Sequence, residues 1–156
     1  MRWRNTAVNW VKTQRRYEPL RPGYRHLLTL YYRGDPAVVG AVDARSATDL
    51  AISVVTVDEQ LTGWYTLTRR ARLPKEIARA YANLGDAVLR LAKWRILPYT
   101  ESAIARVAEL KALRLNVGLM DLRIAAIALK NEAAVVTRNR RDFSRIPGLS
   151  IEDWSV

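Results

Sequence analysis

A chain of 156 residues can close one hydrophobic core, but not two of ordinary size. Its 49% hydrophobic and 26% charged content is that of a globular protein, and the absence of cysteine excludes disulfides and thiolate metal sites. With His26 the sole histidine, a divalent metal would rest on oxygen ligands, which favours Mg²⁺ or Mn²⁺ over Zn²⁺.

No apolar run approaches the roughly 20 residues of a membrane span, and the N-terminal stretch has no apolar block of a secretory signal. The expectation is a cytoplasmic protein with no membrane partner. The net charge of +11 points to a polyanionic partner such as RNA or DNA. Residues 1–33, however, hold eight Arg or Lys against Glu18 alone, leaving 18 basic and 14 acidic residues for the rest. The excess therefore sits mainly in a short leader, and the body is only mildly basic.

Residues 1–22 show no clean strand or helix period, and Pro19 and Pro22 interrupt them. Asp35-Pro36 reads as a helix start, with Asp35 as N-cap and Val38, Val39 and Val42 following at helical spacing. Leu50 to Val55 reads as a buried β-branched strand. Thr56 followed by Glu59 is a capping-box pattern that opens a helix to about Arg70.

A second long helix begins at Pro74, with Ile77, Tyr81, Leu84, Val88 and Leu91 on one face. Residues 95–98 suit a short strand. Thr100, Ile104, Val107, Leu110 and Leu113 mark a further helix ending near Asn116 and Gly118. Residues 120–129 form a helix that is apolar almost all round, so it is expected near the centre. A strand over 133–137, a polar turn over 138–142 and an edge strand over 149–154 complete the chain. This alternation predicts an α/β sandwich with a mainly parallel sheet.

Active sites in such sheets form at the carboxyl ends of the strands. Glu59, Asp121 and Asp142 have that address, and carboxylates placed there could share a divalent cation that activates water. Each also has a plainer reading. Glu59 could close a capping box, and Asp121 could favour a helix N-terminus by roughly 0.3–1 kcal/mol. Asp142 lies among Arg138, Arg140, Arg141 and Arg145, where a surface ion pair is the default. The arginines could grip phosphates or form a solvated face.

Residues 118–154, running from Gly-Leu-Met-Asp-Leu-Arg through Val-Val-Thr-Arg-Asn-Arg-Arg-Asp-Phe to Glu-Asp-Trp, closely resemble the C-terminal half of VapC-family PIN-domain toxins. Residues 52–64 (Ile-Ser-Val-Val-Thr-Val-Asp-Glu-Gln-Leu-Thr-Gly-Trp) resemble that family's second acidic motif, and residues 30–36 the segment after its first. The resemblance implies a PIN-like three-layer α/β/α sandwich over residues 28–156, preceded by an atypical basic leader over 1–27. It implies a Mg²⁺- or Mn²⁺-dependent endoribonuclease of a type II toxin–antitoxin pair, with a VapB-like antitoxin and a homodimer.

By the same resemblance Glu59 and Asp121 are the second and third acidic ligands, and the fourth polar position falls on Asn139 or Asp142. Arg138, Arg140 and Arg141 become candidates for RNA contact. Gly63, one turn after Glu59, allows close helix approach.

The departure is at the front. The family's first strand ends in Asp-Thr-Asp or Asp-Thr-Asn, and this chain has no acid between Glu18 and Asp35. Synonymous codons for Tyr17 to His26, read one nucleotide forward, can give Met-Ser-Arg-Tyr-Val-Leu-Asp-Thr-Asp-Thr. The expectation is therefore an out-of-frame leader joined to a toxin body. A competing expectation is a catalytically silent PIN-like module that binds RNA or its antitoxin. A basic helical DNA-binding protein is disfavoured, because no helix-turn-helix pattern stands out.

Overall fold

The computed structural model describes residues 5–7 and 27–155. Strand β1 (Asn5–Ala7) comes first, then helices α1 (Leu27–Tyr32) and α2 (Pro36–Asp43). Next are β2 (Leu50–Ser53), α3 (Val54–Arg70), α4 (Pro74–Leu91), β3 (Arg95–Leu97), α5 (Glu101–Ala112) and α6 (Leu119–Lys130). The chain closes with β4 (Ala133–Val136), α7 (Arg140–Phe143) and β5 (Ile151–Glu152). The strands lie in the order β3-β2-β1-β4-β5, and every pairing is parallel.

Strand alternation sorts the side chains between two helical layers. Ala51, Ala133 and Val135 face one layer with Val107 and Leu110 of α5 and Leu122, Ala125 and Ala126 of α6. Leu50, Ile52 and Val136 face the other, where Leu28, Val42, Leu91, Trp94 and Trp154 pack. Sheet residues with opposite parity thus enter different cores, and the result is the expected three-layer α/β/α sandwich. Helix α6 is as central as its composition predicts, with Leu122 and residues 125–128 all buried.

Asp35 caps α2 as predicted: its Oδ1 accepts from Ala37 N and Val38 N, both at 3.2 Å, and Pro36 occupies the first turn. Three expectations need correction. The 50–55 strand stops at Ser53, and Ser53 rather than Thr56 caps α3, its Oγ accepting from Thr56 N at 3.0 Å. Val54 and Val55 are β-branched and read as strand, but the Ser53 cap starts the helix there and Val55 is buried within it.

On α4 the predicted apolar face is largely solvent-facing, with Tyr81 61% and Val88 44% exposed. Small residues, Ala80 and Ala87, turn inward instead, together with Leu91. α5 is rotated likewise: Ala103, Val107 and Leu110 are buried while Ile104 and Leu113 are exposed, and the helix ends at Ala112 rather than near Asn116. The leader is expected either to pack poorly or to add a first strand, and its residues 5–7 do the latter, forming the middle strand of the sheet. The remaining leader residues expected to lack structure lie outside the described ones.

Candidate functional site

The parallel sheet brings the carboxyl ends of β2 and β4 to one edge. Helix α3 leaves that edge directly from Ser53 and carries Glu59 as its sixth residue. Glu59 therefore stands one turn deeper than a capping-box residue, and the capping reading of its side chain is removed. Helix α6 runs back along the sheet into β4, so its first turn, with Asp121, lies at the same edge. The turn after β4 supplies Thr137, Asn139 and Asp142. Thr137 Oγ1 fixes that turn by accepting from Asn139 N at 3.0 Å.

Asn139 is the link. Its Nδ2 donates to Asp121 Oδ2 at 3.3 Å and to Asp142 Oδ2 at 3.0 Å. The two residues that compete for the fourth polar position are thus both at Asp121. Gly118, at the N-terminus of α6, lies beside this cluster: a Cβ there would stand in ordinary van der Waals contact, 3.9 Å from Asp121 Oδ2.

Charge couples the cluster. Burial pushes the Glu59 carboxyl above its ordinary value, and Asp121 and Asp58 push it further. Asp121 is raised by burial and by Asp142, while the hydrogen bond from Asn139 works against them. Partly buried carboxylates that repel one another are hard-oxygen donors for which a divalent cation is the natural counter-charge. The donor chemistry therefore fits Mg²⁺ or Mn²⁺. The number falls short, because among the described residues no three His, Cys, Asp or Glu side chains form a group that could hold a metal.

Arg138, Arg140 and Arg141 are in place on the turn and at the start of α7, all three solvent-exposed. Two of them face an acid the sequence reading passed over. Asp153 is half-buried, which alone would raise its carboxyl; bonds from Ser155 Oγ and N, together with Arg138 and Arg140, hold it below its ordinary value. Arg145, named in the sequence as part of the cluster around Asp142, donates from Nη1 to the Asn116 carbonyl at 3.1 Å and ties the turn before α6 to the end of α7.

The PIN domain family model matches residues 26–149. A tRNA(fMet)-specific endonuclease VapC from Salmonella typhimurium is 35% identical over 68 residues, 41% of this chain and 52% of that protein. Ribonuclease VapC2 from Rickettsia felis is 44% identical over 46 residues, 30% of this chain and 34% of that one. The chain thus spans about half the length of one of these curated relatives and a third of the other.

Among solved structures, a DNA-bound VapBC from Salmonella typhimurium superposes with a TM-score of 0.64 at 24% identity, over 81% of this chain and 91% of that one. At that identity the likeness speaks for the fold. The family model spans most of the chain, including both Glu59 and the Asp121–Asn139–Asp142 cluster, and the fold agrees: the chain belongs to the PIN domain family.

Proposed function

We propose that this chain is the ribonuclease toxin of a VapBC-like type II toxin–antitoxin pair, with a centre one carboxylate short of completion. The observation that carries this reading is the convergence at Asp121: Asn139 bonds it to Asp142, and its charge raises Glu59. Glu59, Asp121 and Asp142 are the residues that would hold Mg²⁺ or Mn²⁺. When bound, the cation supplies a Lewis acid for the scissile phosphodiester and lowers the pKa of an attacking water. Asn139 spaces Asp121 from Asp142, and Arg138, Arg140 and Arg141 attract the phosphates of RNA.

The relatives are named as nucleases and the structural neighbours are VapBC complexes, which supports a VapB-like antitoxin as partner. We extend the proposal to a homodimer in the cytoplasm. No described helix is long and apolar enough to cross a membrane.

The test is purified protein with Mn²⁺ and single-stranded RNA, alongside calorimetry of Mn²⁺ binding. Metal-dependent cleavage that Asp121→Asn removes, with loss of Mn²⁺ binding, is the expected result. Cleavage that survives Asp121→Asn overturns the assignment. The missing first carboxylate of the family's pattern favours a second reading, a silent module that binds RNA or antitoxin without cutting. That reading expects RNA binding with no cleavage at any Mn²⁺ concentration.

The leader belongs to the same proposal: residues 1 to about 27 are out-of-frame translation. Its concentrated positive charge and a family match that begins only at residue 26 support this. The nucleotide sequence across codons 17 to 30 decides it. Codons that encode Asp-Thr-Asp in the alternate frame predict that restoring the frame restores the nuclease. Codons that exclude it make the missing ligand inherent to the protein.

A further inference from the structure

A cavity of about 210 Å³ opens between the end of α5 and the start of α6. Leu110, Leu115, Val117 and Leu122 line it, and Lys111 and Arg114 stand among its walls. Leu110 and Leu122 belong to the buried core, whereas Lys111 and Arg114 are exposed, so the slot is apolar inside and cationic at its rim.

The turn that forms its wall is unusual. Arg114 and Asn116 both have left-handed backbone, at φ 49° and 54°, a conformation that costs non-glycine residues free energy. Arg145 fixes this turn from outside through the Asn116 carbonyl. Two residues on, Gly118 lies beside the Asp121 carboxylate. The wall of the slot and the carboxylate cluster therefore share one short stretch of backbone.

An apolar recess is a poor water site. This one is smaller than the ~300–1,000 Å³ of pockets that take drug-sized ligands, so it suits a single ring system. A cationic rim selects an anionic ligand that carries such a ring. Flipped bases are held in this way, between apolar side chains.

We propose that the slot takes one unstacked base of a single-stranded RNA, while Lys111 and Arg114 meet the flanking phosphates. The neighbouring phosphodiester is thereby presented to Asp121. This rests on the ribonuclease reading. The cationic rim and the shared backbone with Asp121 favour a nucleotide over an apolar side chain of a protein partner.

The test uses the full chain in EDTA, so that nothing is cut, and a short single-stranded RNA carrying one 2-aminopurine, which brightens when unstacked. Wild-type protein is expected to raise its fluorescence. Val117→Phe, which fills the slot, should keep the base quenched and weaken binding roughly fivefold or more. Lys111→Ala combined with Arg114→Asn changes only the exposed rim, and Asn tolerates the positive φ. That variant should lower the slope of log affinity against log salt by about 1.4, the share of two phosphates on a single strand.

RNA binding that persists unchanged in both variants overturns the base slot and leaves the ribonuclease reading standing. Wild-type protein that binds no RNA overturns both. Loss of the fluorescence gain to a neutral apolar peptide, with an unchanged salt slope in the rim variant, assigns the slot to a protein partner and overturns the inference.

Discussion

Asn139 donates from Nδ2 to Asp121 Oδ2 at 3.3 Å, joining the turn after β4 to the first turn of α6 with a neutral amide. The same nitrogen reaches Asp142 at 3.0 Å, so one donor relieves two acids that would otherwise repel. Asn139→Asp replaces this donor with a third carboxylate. Without metal the variant should melt about 2 °C lower. Its Mn²⁺ affinity should rise by about tenfold, because ligand charge count tunes affinity for hard cations. Calorimetry reads the second effect, and an unchanged affinity would separate Asn139 from the metal centre.

The raised carboxyls at Glu59 and Asp121 set a direction for pH dependence. A carboxyl whose folded pKa is raised keeps its proton longer in the native chain. The stability this contributes is fully present below the unfolded values, 4.5 and 3.8, and is lost as pH rises through the folded values. At neutral pH, without metal, both groups oppose folding. Asp121→Asn should therefore raise the melting temperature near pH 7 by about 2 °C, a small gain because the site is half-open to solvent, and should change little near pH 3. Thermal unfolding in EDTA across that range checks it; a variant that melts lower at pH 7 contradicts the electrostatic account.

The start of α3 depends on a buried oxygen. Ser53 is 5% exposed, and its Oγ accepts from Thr56 N at 3.0 Å. Ser53→Ala should cost about 1–2 kcal/mol in urea unfolding. It should also weaken Mn²⁺ binding, because Glu59 rides on the helix that Ser53 starts. Were Thr56 the cap, the same change would cost almost nothing.

At the far side of the sheet, Arg45 lies 3.9 Å over the Trp154 ring and bonds Glu152 Oε2 at 3.0 Å. Trp154 Nε1 donates to the same oxygen at 2.6 Å, and a further bond runs from Arg45 Nη1 to the Ala41 carbonyl. Trp154→Ala should cost about 3–5 kcal/mol as a buried aromatic. Arg45→Lys keeps the charge but loses the planar stack and the fork, and should cost about 1 kcal/mol. No loss from Arg45→Lys beside the full cost of Trp154→Ala, read in denaturant unfolding, would show that packing alone holds this corner.

What could be read from sequence was what depends on near neighbours. Asp35-Pro36 carries its own cap, and the apolar surface of 120–129 could only be central. Glu59 and Asp121 were legible first from their address at the carboxyl ends of strands, and motif order then decided between that role and a helix-end one, most of all for Glu59. The start of α3 was misplaced because Val54 and Val55 have strand propensity that a serine cap overrides. The outward turn of Tyr81 and Val88 was invisible, because periodicity finds a stripe but not what, if anything, lies against it. Arg45 and Glu152 are 107 residues apart, so their pairing exists only in the fold.

Strand β1 has a consequence for how the chain assembles. Thr6 pairs with Leu50 on one side and Ala134 on the other. Within the sheet, β1 alone stands between the β3-β2 pair and the β4-β5 pair, with two register pairs to β2 and three to β4. Both partners are distant in sequence, so each must be brought together against a large loop entropy, the feature that makes parallel sheets slow to form. Until the segment around residue 134 has emerged from the ribosome, half of the sheet waits with a bare strand edge, and such edges template aggregation. The time a nascent chain spends in that unfinished state is thus governed by the shortest interior strand, far in sequence from any acid of the candidate centre.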